Sequence, residues 1–216
     1  LLSYQTWFAV GSRHETRGKT GLAHLFEHLM FKGTKANPHA VFDRLLEEAG
    51  AQSNAATWVD WTFYYENLPS GGLELAVRLE ADRMANLALD PDQLTQELDV
   101  VKNERRLRVD NDPDGVMDER MLASVFPTHP YGMPTIGYMA DLEGLTLDDC
   151  LGFYRTWYAP SNATVVLVGD VDLRGAITLI AQHYGPLPAV ARPASTPAPE
   201  VEQTARRDHE MKLGVA

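Results

Sequence analysis

Apolar positions recur along this chain with two different periods, and each change of period marks a change of element. Residues 4–10, Tyr-Gln-Thr-Trp-Phe-Ala-Val, mix aromatic and β-branched side chains and stop at Gly11-Ser12, which predicts a strand. Residues 13–20 are a charged loop. From Gly21 the period lengthens. Leu22, Leu25, Phe26 and Leu29 recur at helical spacing until Lys32-Gly33-Thr34, where a glycine suits the terminus and the lysine suits the negative end of the helix dipole. A second short helix is predicted over 39–49 from Val41, Phe42, Leu45 and Leu46, ending at Gly50.

Two strands should follow, one over 51–57 and one over 61–66, with Val59-Asp60 at the turn. The first is small and polar, with little to bury, which suits an edge whose backbone groups stay free to pair. Pro69-Ser70-Gly71-Gly72 breaks the chain, and Leu75, Leu79, Met84 and Leu87 predict a helix over 73–89. Asp90-Pro91 stops it and caps the next, over about 92–109, which carries Leu94, Leu98, Val101 and Leu107 on one side. Glu97 and Glu104 lie two turns apart on a nearby side of that helix. Further helices are predicted over 117–126, 147–157 and 173–184, with a loop rich in Pro, Tyr and His over 127–136. The continuous apolar run 163–168 reads as a central strand. The pattern predicts an α+β fold with a largely antiparallel sheet flanked by helices, since strands and helices do not strictly alternate.

The domain expectation is one unit over 1–185, a Pro/Ala/Ser-rich linker over 186–200, and the start of a second domain over 201–216, where 210–216 reads as the beginning of a strand. The first residues show neither an initiator Met nor a basic n-region and run straight into a strand, so the chain reads as part of a longer protein. A length of 216 residues supports a core without disulfide staples. No stretch approaches the ~18 apolar residues of a membrane helix. A formal charge of −11 argues against nucleic acid and anionic membranes and favours a cationic substrate. The single Cys150 excludes an internal disulfide and a cysteine-rich zinc site; within the 147–157 helix it reads as a small buried hydrophobe.

One stretch carries chemistry. In Gly21-Leu22-Ala23-His24-Leu25-Phe26-Glu27-His28-Leu29-Met30-Phe31, two histidines at i and i+4 share a helix face and can grip one ion. Glu27 sits beside both at a different angle, able to reach a metal-bound water as general base without being a ligand. Three polar groups on an otherwise apolar helix are costly unless paired or metal-bound. Catalytic zinc usually takes three protein ligands and a water. Glu97 and Glu104 are both candidates for the third, and spacing does not choose between them. His14, His39, His129, His183 and His209 have no ligand spacing, and Trp58, Trp61, Tyr64 and Trp157 read as core aromatics.

The order H-x-x-E-H inverts the common zinc motif and is the inverzincin signature. With Val10-Gly11-Ser12, Gly21 through Thr34, Asn54-Ala55-Ala56-Thr57, the 97–104 segment, Pro130-Tyr131-Gly132, Ile136-Gly137 and Gly169-Asp170, residues 3–184 resemble the zinc-bearing N-terminal domain of the pitrilysin/insulinase family. The resemblance implies a zinc (Zn2+) endopeptidase of the LuxS/mitochondrial-processing-peptidase-like metallohydrolase fold. It implies that Glu104 is the third ligand, that Glu97 supports the site from behind, that Asn54 and Ala55 lie on an edge strand that takes extended peptide, and that Phe31 lines a side-chain pocket. Family members begin with one or two further strands that this chain lacks. They also work with a second homologous half, in the same chain or a partner subunit, that carries an Arg/Tyr pair holding peptide or unfolded protein substrate. Some relatives are non-catalytic assembly subunits, but those lose the zinc motif that this chain keeps at His24, Glu27, His28 and Glu104.

Overall fold

The first apolar run forms β1 (Leu2–Phe8), whose side chains alternate between buried and half-buried because successive residues of a strand face opposite sides of the sheet. The computed structural model, which describes residues 1–191, 194–208, 210 and 212, pairs β1 antiparallel with two neighbours. On one side lies β3 (Thr62–Leu68), on the other β4 (Ala163–Gly169), while β2 (Gln52–Thr57) pairs with the far edge of β3. The sheet is therefore four-stranded and antiparallel, in the order β2-β3-β1-β4.

Helices α1 (Leu22–Leu29), α2 (Val41–Glu48) and α3 (Leu73–Asn86) cover it. The main core gathers around α1, where Leu22, Leu25, Phe26 and Leu29 pack with Phe8 and Tyr64 from the sheet and Phe153 and Tyr158 from α7 (Leu147–Trp157) and the turn after it. A second cluster joins Leu2, Tyr4 and Leu68 to Ala76 and Val77 of α3 and Ala176 of α8 (Leu173–Tyr184). Inside this shell sits a charged group. Arg83 is 1% exposed, paired with Glu66 and Glu80, and its guanidinium lies over the rings of Phe31, Phe42 and Tyr64.

The α+β prediction with an antiparallel sheet holds, and β2 lies at an edge as its composition implied. Several expectations are corrected. The run 163–168 is not a central strand: β4 is paired only with β1 among the described residues. Val165 and Leu167 pack on the second core cluster, while Val168 is 58% exposed. A continuous apolar run does not distinguish a strand covered on one side from one covered on both. The predicted 92–109 helix divides into α4 (Pro91–Arg105) and a π-helical turn (Arg106–Asp110), closed by the Asn111 N–H donating to the Arg106 carbonyl. Helix α5 (Pro113–Val125) starts before Met117 because the Asp112 carboxylate caps it and Pro113 takes the first turn. Helix α3 stops before Leu89, where the Leu87 N–H is taken by the Tyr154 hydroxyl. A six-residue helix, α6 (Met139–Gly144), was not anticipated; it is too short to show periodicity. Trp58 lies at the β2–β3 turn and is 57% exposed, not core, whereas Tyr64 is fully buried. Of the strand expected over 210–216 only Glu210 and Lys212 lie within the described residues, and His209 lies outside them.

Candidate metal centre

Helix α1 begins at Gly21, whose φ of +94° favours glycine. A Cβ there would lie 2.7 Å from Leu142 Cδ2 and 2.9 Å from the Ile136 carbonyl oxygen. The buried Glu15 carboxylate accepts from the Gly21 and Ala23 N–H groups at 2.8 and 2.7 Å, satisfying two of the open donors of the first turn. Burial pushes the Glu15 carboxyl up to about 8, against those two bonds. Thr20 donates its hydroxyl to Asp141 at 2.7 Å and accepts from the Tyr138 N–H at 2.9 Å, fixing the entry to the helix.

From this anchored start α1, which packs against α4, brings His24 and His28 up to Glu97 and Glu104, while Glu27 lies by Thr57 of β2. His24 is 8% exposed and His28 and Glu27 are half-buried. Both imidazole Nε2 atoms lie 3.5 Å from one oxygen, Glu104 Oε2. One donor atom from each of His24, His28 and Glu104 therefore falls within 4.8 Å of the others. Burial holds the His24 imidazole down to about 3, neutral as a metal ligand must be.

Glu97 does not join the three. Its Oε2 lies 3.3 Å from Nδ1 of His28, and its other oxygen pairs with Lys32. Those two partners, the His28 hydrogen bond first, lower the Glu97 carboxyl below the usual range. Burial resists protonation of His28, but the Glu97 and Glu104 carboxylates outweigh it and raise its pKa. Glu104 Oε1 meets Arg108 Nε at 3.0 Å, which leaves Oε2 for the histidines. Glu27 stands apart from these pairs; burial raises its carboxyl, opposed by the Thr57 side chain of β2 and by His28. A raised carboxyl is one way a glutamate is tuned as a proton acceptor and donor near neutral pH.

A zinc ion fits this donor set. Two imidazoles and a carboxylate are ordinary zinc ligands, and donors about 2.0–2.2 Å from a tetrahedral ion stand roughly 3.3–3.6 Å apart. The 3.5 Å separations of Glu104 Oε2 from both imidazoles match that spacing and exceed a good hydrogen bond.

The substrate-side candidates lie beside this group. Strand β2 packs on α1, and its outer edge is unpaired among the described residues. Asn54 is exposed there and its Oδ1 accepts from the Ala55 N–H at 2.8 Å, while Ala55 is half-buried against the core. Phe31 is half-buried between Phe42 and Tyr64 and lines an open groove with Leu46, Asp43 and the start of β2. Lys32, Arg108 and Glu15 were missed from sequence. Lys32 and Arg108 each follow a site residue by four positions, a helical-neighbour signal that was available; the reach of Glu15 from a loop was not.

Residues 3–138 match the model of the insulinase family (peptidase family M16), and residues 144–214 match that of the peptidase M16 inactive domain. This chain belongs to the insulinase family. Within it, a zinc protease PqqE from Helicobacter pylori is 38% identical over 184 residues, 85% of this chain and 41% of that protein. The β subunit of the mitochondrial processing peptidase of Lentinula edodes is 30% identical over 187 residues, 87% of this chain and 40% of that subunit. The crystal structure of a protease from Helicobacter pylori superposes with a TM-score of 0.88 at 36% identity, over 91% of this chain and 48% of that one. The chain thus spans about two-fifths of the length of these curated relatives. The two insulinase-family matches meet between 138 and 144, yet β4, which follows that seam, pairs with β1, which precedes it.

Proposed function

We propose that this chain is the zinc-bearing part of a metalloendopeptidase that hydrolyses peptides or unfolded protein segments. The observation that carries the reading is the convergence of His24 Nε2, His28 Nε2 and Glu104 Oε2 at ion-sized separation, with Glu27 beside them. Zinc bound there supplies a Lewis acid that polarises a peptide carbonyl and brings the pKa of water to about 7. Glu27 takes the proton of the attacking water and returns it to the leaving amine. Glu97 accepts from Nδ1 of His28, fixing the tautomer that leaves Nε2 as the ligand atom, and Lys32 holds Glu97 in turn. The open edge of β2 at Asn54 and Ala55 receives the substrate as an added strand, and Phe31 floors the groove for one of its side chains.

In this reading residues 1–185 form the zinc-bearing domain, 186–200 a linker and 201–216 the start of a second homologous domain. The second half, in the same chain or in a partner, brings an Arg/Tyr pair that holds substrate, so the 216 residues alone bind zinc but cleave poorly.

The test separates two glutamates in the complete protease. Glu27→Gln should lower kcat by about 10²–10⁴-fold, the usual worth of a general base, with zinc content unchanged. Glu104→Gln should lower zinc content. Equal zinc loss in both variants would overturn the assignment of roles.

A further inference from the structure

Glu104 occupies the last turn of α4, just before the helix loosens into the π-helical turn Arg106–Asp110. Apart from the exposed Arg108, which meets its Oε1, the position of Glu104 depends on how the end of this helix is held. The next residue, Arg105, is 5% exposed and is paired with residues outside the metal centre. Its Nη1 donates to Glu119 Oε2 of α5 at 2.7 Å and to the Gly137 carbonyl at 2.7 Å. Its Nη2 donates to Glu119 Oε1 at 3.2 Å and pairs with Asp110 Oδ1 at 3.2 Å. One guanidinium thus ties the end of α4 to the π turn, to α5 and to the loop before α6.

The Gly137 end of this clamp reaches the other ligands. Gly137 has a φ of +85°, and a Cβ on it would lie 2.6 Å from Gly21 Cα and 2.7 Å from Gly21 N. The two glycine backbones are therefore in direct contact, and Gly21 is the N-cap of the helix that carries His24 and His28. From the third ligand to the first two the path is Glu104, Arg105, the Gly137 carbonyl, Gly21 and α1. A lysine has one ammonium and cannot reproduce the planar fork that bridges a carboxylate and a carbonyl at once.

We propose that Arg105 is a positioning residue for the metal centre: by locking the end of α4 onto Gly137, and through it onto the start of α1, it sets the distance of Glu104 from the two histidines. This rests on the metal-site reading above. The experiment compares the wild-type 216-residue chain with Arg105→Lys, Glu119→Gln and His24→Ala, at a temperature where far-UV circular dichroism shows each metal-free protein folded. Zinc affinity is read by competition with a chelator, and site geometry by the visible d–d spectrum of the cobalt(II) form. The expected result is one ion per wild-type chain, lost in His24→Ala. Arg105→Lys should bind zinc about 10–100-fold more weakly, the range found when groups behind metal ligands are changed, with shifted cobalt bands. Glu119→Gln should move both readouts in the same direction by less, and it decides the matter if Arg105→Lys does not fold. A lowered Tm with unchanged zinc affinity and cobalt spectrum in the folded variants would show that Arg105 stabilises the fold without positioning the ligand, and would overturn the proposal. Absence of stoichiometric binding in the wild type would instead overturn the metal-site reading, and this proposal with it.

Discussion

His24 and His28 differ in chemistry although they sit one turn apart. Burial drives the imidazole of His24 from its usual 6.5 down to about 3, while the carboxylates around His28 raise its pKa. The two therefore contribute to the stability of the metal-free chain with opposite sign. Between pH 6.5 and about 3 the unfolded chain binds a proton at His24 that the folded chain refuses, so stability falls as pH is lowered through that window. His28 contributes stability that is fully present below pH 6.5 and fades as pH rises through its elevated value. In chelator-treated protein, His24→Gln should flatten the acid side of the stability profile, by up to about 1.4 kcal/mol per pH unit. His28→Gln should flatten the side above pH 6.5 instead. Urea unfolding across the pH range measures both, and the same sign for both variants would contradict the assigned environments.

At the scale of elements, β2 and α1 have to be read together. Strand β2 is small and polar, packs on α1 and α2, and leaves its outer edge paired with no other strand among the described residues. The Trp58 N–H donates to the Trp61 carbonyl, so by the alternation of an antiparallel ladder the Ala55 N–H, three residues back, faces the open edge, where it donates to the Asn54 side chain. Ala55→Pro removes that donor without breaking a bond to β3. In the complete protease it should raise KM for an extended peptide by about 5–10-fold, the loss of one backbone hydrogen bond of about 1 kcal/mol or slightly more, with zinc content unchanged. Unaltered KM would show that substrate does not pair at this edge. Both elements were legible in the sequence, because each breaks its own pattern: α1 through polar groups on an apolar face, β2 through a lack of anything to bury. Elements that follow a rule common to two environments were not. The apolar run of β4 suits an edge as well as a centre, and the turn at Trp58 sits among aromatics whose composition says core.

Across the whole molecule, sequence order and spatial order part company. Glu104 lies 76 residues after His28 in the chain and 3.5 Å from it in space. Helical spacing names two candidates for a third ligand without choosing; the resemblance to the family points to Glu104, and the packing of α4 on α1 sets its Oε2 3.5 Å from both imidazoles. The same packing sets Glu97 against His28 and Lys32, which suits the supporting role proposed for it. The clamp through Arg105, Glu119 and Gly137 was invisible in sequence, since its members lie on three separate elements and none has a spacing rule. The same holds at larger scale: this member of the insulinase family spans about two-fifths of the length of its curated relatives, and within that span His24, His28 and Glu104 come together as a group that could hold a metal ion.

The most direct measurement is anomalous diffraction at the zinc edge from crystals of the zinc-loaded chain. A single peak about 2.0–2.2 Å from His24 Nε2, His28 Nε2 and Glu104 Oε2, with Glu27 and Glu97 outside ligand distance, is the predicted result. A peak ligated by Glu97 in place of Glu104, or no peak between the two histidines, would contradict the account.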